Sequence, residues 1–113
     1  MKPGGSRAKG CAFEREVANL FKEAFPEIDA HRGLQYRDGA DAPDVIVPLL
    51  WAECKRGKCT YPKKALEQAT EANKKVGGRI PVAITKDDRK GVLVTLGVHD
   101  FLTIFGPYLK AKR

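Results

Sequence analysis

Asp44, Glu53 and Lys55 are the residues of this chain whose types and spacing suit chemistry. Asp44 stands at the entrance of a short β-branched run, Val45-Ile46-Val47, and Glu53 lies inside the next apolar run, Leu50 to Lys55. Both runs read as strands, with Pro48 marking a tight turn between them. Side chains alternate along a strand, so Glu53 and Lys55 share one face while Cys54 points to the other. Folded as a hairpin, the two strands bring Asp44 toward Glu53. Two carboxylates and one ammonium then meet among apolar residues, where isolated charges would be costly. A divalent cation held by the carboxylates offsets their repulsion. Hard oxygen ligands of this kind suit Mg²⁺, which acidifies a bound water and stabilises charge building on a phosphate. A lysine alongside can position that water or stabilise the transition state. The set points to metal-dependent phosphodiester hydrolysis.

The elements that must hold these residues can be read from the same pattern. A first helix is expected from about Ala12 to Phe25, ended by Pro26. Phe13, Val17, Leu20, Phe21 and Ala24 recur at helical spacing as its apolar face. Glu14 projects on the flank of that face, between Phe21 and Phe25, whereas Glu16 and Glu23 point to the polar side. A carboxylate at that margin is placed to join the other two. Residues 28–43 read as a loop, with a short strand near His31-Arg32. Gly57 closes the strand that carries Glu53. A second helix is expected from about Tyr61 to Val76, with Pro62 in its first turn, Ala65, Ala69, Ala72 and Val76 as its packing stripe, and Gly77-Gly78 at its end. Two strands follow, Arg79 to Thr85 and Gly91 to Leu96, and then a short helix from about His99 to Phe105. The order α-β-β-α-β-β-α describes an α/β fold, one mixed sheet flanked by helices. The 113 residues read as a single domain, with residues 1–10 a flexible basic arm and residues 107–113 a basic tail.

Bulk properties narrow the class. The net charge of +7 implies a field that attracts polyphosphates. Lys55, Arg56, Lys58, Lys63, Lys64, Lys74 and Lys75 crowd the middle of the chain. No apolar run approaches the roughly 20 residues that span a bilayer, and the start lacks a secretion signal, so a cytoplasmic location is expected. Cys11, Cys54 and Cys59 are too few and too irregularly spaced, with His31 and His99, for a structural zinc site.

Pro43-Asp44, the residues 45–52 between, and Glu53-Cys54-Lys55 together resemble the PD-(D/E)XK nuclease motif. Lys9-Gly10-Cys11-Ala12-Phe13-Glu14-Arg15-Glu16 is similar to the beginning of archaeal-type Holliday junction resolvases, where a Lys-Gly pair precedes an acidic-arginine pair. Arg32 matches the basic residue those proteins place before the Pro-Asp pair. Small phage nucleases of the VRR type are also similar, with Gln68 standing where they have a glutamine on the next helix.

The resemblance implies a restriction-endonuclease-like core in which Glu14, Asp44 and Glu53 bind Mg²⁺, with Mn²⁺ able to substitute, and Lys55 serves the attacking water. It further implies a homodimer that cuts two strands of branched DNA symmetrically, as a Holliday junction resolvase does in DNA recombination. Together with the charge distribution it assigns Lys9, Arg15, Arg32, Arg37, Arg56 and Lys58 to DNA contact, and Gln68 to an accessory role. The Gly-Ser-Gly loop of the archaeal enzymes is absent, and the hairpin is shorter than theirs.

Other readings stand beside these. A nicking, flap-cutting or end-processing nuclease keeps the same site, and a non-catalytic DNA-binding module keeps only the fold. Taken singly, Asp44 is a turn former, and Glu53 with Lys55 a cross-strand pair. Asp41 is either a loop residue or a further ligand. Tyr61 and Trp51 can stack on unpaired bases, although Trp51 in an apolar strand also suits a core. A short basic chain of this kind suits a phage or bacterial genome.

Overall fold

The computed structural model describes residues 4–33 and 42–112. Arg37 and Asp41 lie outside the described residues, as does the side chain of Lys9. Helix α1 spans Gly4–Ala24, strand β1 His31–Arg32, β2 Val45–Val47 and β3 Leu50–Gly57. Helix α2 follows over Pro62–Val76, then β4 Ile80–Asp87, β5 Val92–Thr95 and α3 Val98–Ala111. The strands form one sheet in the order β1-β2-β3-β4-β5, with only β3 and β4 parallel. Parallel neighbours need a long crossover, and α2 provides it. The chain is thus an α/β fold with a mixed sheet flanked by helices.

Alternation along β3 separates two faces. Ala52 and Cys54 join Val45, Val47, Val82 and Ile84 beneath Phe13, Val17 and Ala18 of α1. Cross-strand register sets this up: Val45 sits opposite Ala52 and Val47 opposite Leu50, while Val82 and Ile84 lie beside Ala52 and Cys54. The other face carries Trp51, Glu53 and Lys55, next to Ala83 and Thr85 of β4. Ala65 and Ala69 are the buried residues of α2, small enough to bring that helix close to the sheet. Trp51 is 2% exposed and belongs to the core, so it cannot stack on a base.

Two expected boundaries move. Helix α1 begins at Gly4 rather than near Ala12, so the backbone from Gly4 to Gly10 is helical. Gly4, Gly5 and Gly10 argue against helix, at about 1 kcal/mol each. Once the packed turn at Phe13 has nucleated, however, each further residue adds a hydrogen bond, and Ser6 to Lys9 contain no breaker. Helix α3 likewise runs through Pro107, where a basic tail was expected. Proline costs it one backbone donor, but Leu109, Lys110 and Ala111 are strong helix formers and continue the turn.

Two tight backbone positions hold the hairpin and its approach. Leu49, in the turn between β2 and β3, has φ 78°, a left-handed conformation unusual for leucine. Gly33 donates its N–H to the Asp44 carbonyl (2.9 Å), and a Cβ there would overlap the Pro43 carbonyl oxygen. Gly33→Ala is therefore expected to cost about 1–3 kcal/mol by forcing Pro43-Asp44 away from β1. Thermal melting checks this; an unchanged Tm would contradict the close approach.

Candidate active site

Pro43 lies where β2 and β3 part. Asp44 still donates its N–H to the Ala52 carbonyl (2.8 Å), and the strand pairing runs from Val45 and Ala52 onward to the turn. The Cys54 N–H beyond that ladder donates to Asp44 Oδ2 at 2.7 Å. This one bond satisfies a buried amide and aims the Asp44 carboxylate at β3. Asp44 is 5% exposed, an unusual depth for a carboxylate.

Glu53 follows on β3, with its side chain 18% exposed, and its Oε2 lies 3.6 Å from Lys55 Nζ. The Asp44 and Glu53 carboxyls lie close enough for each to influence the other's ionisation. Burial raises the Asp44 pKa from its ordinary value of 3.8 to about 7, and the negative charge of Glu53 adds to the rise. Burial also raises Glu53, while the positive charge of Lys55 opposes the shift. Two carboxyls in this position share a proton unless a cation takes its place. Their oxygens are hard donors, and Mg²⁺ commonly takes only one or two carboxylates and keeps the rest of its shell as water. The Asp44–Glu53 donor pair suits such an ion, but among the described residues no group of three or more His, Cys, Asp or Glu side chains is placed to hold one. The expected third ligand, Glu14, is thus not brought in with them as a ligand; its carboxylate pairs with Arg32 instead.

Glu14 comes in from α1. Its charge acts on Asp44, Glu53 and Cys54 alike, so it belongs to the same cluster. Its Oε1 accepts a hydrogen bond from Arg32 Nε at 3.0 Å, and the same guanidinium lies 3.0 Å from Cys11 Sγ. Arg32 thus links β1 to α1 at the edge of the acidic cluster. Cys54 faces the core, and burial pushes its thiol pKa far up, so it is inert as a nucleophile.

The remaining candidates scatter. Gln68 and Lys55 line one pocket, together with Tyr61 and Lys64. Arg56 also borders that pocket, while its guanidinium lies 3.7 Å from Glu16 and 3.9 Å from Asp88. Arg15 and Lys58 are exposed. Sequence reasoning missed the Glu14–Arg32 ion pair, although both residues had been singled out. It also missed Lys64 beside Lys55; helical spacing from Gln68 to Lys64 was the available signal.

A mixed sheet with α1 on one face and the α2 crossover on the other, and acids at the parting of β2 and β3, defines a restriction-endonuclease-like fold. The Holliday junction resolvase Hjc from Archaeoglobus fulgidus, an archaeal hyperthermophile, is similar in structure, with a TM-score of 0.56 over 78% of this chain and 75% of that one. The two sequences are 20% identical over the match, so the likeness is one of fold. Comparison with protein-family models and with curated proteins finds no match.

Proposed function

We propose that this protein is a metal-dependent endodeoxyribonuclease of the Holliday junction resolvase kind, acting as a homodimer on branched DNA. The observation that carries the reading is the buried Asp44–Glu53 pair with Lys55 beside it, at the strand parting of a fold shared with Hjc. Buried, mutually repelling carboxyls are expensive to keep without a use. Mg²⁺ held by Asp44 and Glu53 would acidify a bound water and offset charge on the phosphate.

The chain's own groups divide the rest of the work. The Cys54 N–H keeps the Asp44 carboxylate fixed, so one ligand is oriented before any substrate arrives. Lys55, half exposed and tethered to Glu53, can hydrogen-bond the attacking water or the phosphate oxygen that gains charge. Glu14 adds negative charge at the rim, and Arg32 holds it in place. The net charge of +7 favours association with DNA.

The dimer is supported by α3. None of its residues is buried, although Phe101, Leu102, Phe105 and Leu109 are apolar and Phe101 and Phe105 pack ring to ring at 4.8 Å. The same chain offers an apolar groove of about 280 Å³ between α1 and β5, lined by residues including Leu20, Phe21, Phe25 and Val94. A second copy supplies what each lacks, in the reciprocal way a two-fold interface requires. Phe105→Asp is expected to turn a dimer into a monomer in light scattering while leaving the far-UV circular dichroism intact. A wild-type chain that is monomeric at assay concentration would count against the dimer.

Comparing a four-way junction, a flap and a linear duplex in one Mg²⁺-containing assay tests the substrate. Symmetric paired nicks confined to the junction are expected. Equal cutting of flap or duplex would make the protein an end-processing or nicking nuclease instead. Binding without cutting would make it a DNA-binding module.

A further inference from the structure

A pocket of about 220 Å³ opens beside Lys55, between the end of β3 and the start of α2. Thr60, Tyr61, Lys64, Ala65 and Gln68 line it with Lys55. Ala65 is buried against the sheet, whereas Tyr61 is 69% exposed. The Tyr61 side chain makes no capping bond to α2, although it occupies the cap position. Thr60 is fixed from behind: its N–H and its hydroxyl both donate to Asp87 Oδ1, at 2.8 and 2.5 Å. That part of the wall is therefore built before any ligand arrives.

The chemistry of the lining selects among ligands. A duplex backbone presents phosphates alone, and a flat lysine surface suffices for it. An unpaired nucleotide has three kinds of surface, and the pocket answers each. Its base has a π face for the Tyr61 ring, and base–aromatic stacking is indifferent to sequence. Its edge carries donors and acceptors that the Gln68 amide, which is both, can meet. Its phosphate suits Lys55 and Lys64. Lys55 lies both in this pocket and against Glu53, so an occupant adjoins the reacting phosphate.

We propose that this pocket receives a single unpaired nucleotide next to the scissile phosphate, so that the site favours strands whose base has left the helical stack, as at a branch point. The proposal rests on the nuclease reading above and deepens it to a substrate feature.

The test uses the full chain carrying Asp44→Asn, which is expected to hold DNA without cutting it. Four-way junctions are prepared with 2-aminopurine at each position flanking the cleavage point, and binding is followed separately by anisotropy. Emission is expected to change on binding at one flanking position. Tyr61→Ala should abolish that change and weaken binding about tenfold, the loss of one stacked base, whereas Tyr61→Phe should keep both. Bound junctions with no responsive position, or a response that Tyr61→Ala leaves unaltered, would overturn the pocket assignment and leave the nuclease reading standing. Failure of the chain to bind any DNA would defeat that reading, and the pocket with it.

Discussion

Asp44→Asn and Glu53→Gln are each expected to lower cleavage by about a thousandfold or more while DNA binding persists. Both substitutions keep size and shape. Asparagine at 44 retains an oxygen for the Cys54 N–H, so the hydrogen bond at 2.7 Å that orients the side chain survives. What is lost is one negative oxygen donor from a pair of carboxyls that already interact. Side-by-side cleavage and anisotropy measurements on the two variants check this. Near-normal cutting by either would remove that residue from the reaction. Equal loss of binding and cutting would point instead to a folding or docking role.

This site was legible because strand alternation is a strong rule. Glu53 and Lys55 had to share a face, and a two-residue turn at Pro48-Leu49 had to bring Asp44 back beside Glu53. Glu14 followed from helical phase alone. Its partner did not: Arg32 reaches it across a separation of eighteen residues, a contact that only the packing of β1 on α1 creates. The apolar stripe of α1 also misled in part. Phe13 and Val17 are buried, but Leu20 is 47% exposed and Phe25 50%, because nothing among the described residues covers that end of the helix. Periodicity tells which face is apolar and not which neighbour covers it. For α3 the same limit applies, since its apolar residues gave no sign that the sheet would leave them bare.

A second large effect concerns stability in the absence of metal. Burial and the charge of Glu53 raise the Asp44 pKa from 3.8 to about 7. The folded chain then holds this proton more tightly than the unfolded one does. The associated stability is complete below about pH 4 and is lost as pH rises through about 7. At pH 8 in a chelator the ionised pair should therefore destabilise the protein, and Asp44→Asn, which removes one charge, should melt higher than wild type by about 4 °C or more. At pH 4 the two should melt together. Adding Mg²⁺ at pH 8 should raise the wild-type Tm more than that of the variant, because binding to the folded state alone is stabilising. A variant less stable than wild type at pH 8 would mean that the Asp44 charge is already compensated within the protein.

The central claim is that Asp44 and Glu53 form a metal-dependent cutting centre. Incubation of a synthetic four-way junction with the wild-type chain, in Mg²⁺ and in chelator, tests it most directly. Paired nicks placed symmetrically across the junction, present with Mg²⁺ and absent in chelator, are the predicted result. A junction that is bound yet left whole in both Mg²⁺ and Mn²⁺, or one cut equally well in chelator, would contradict it.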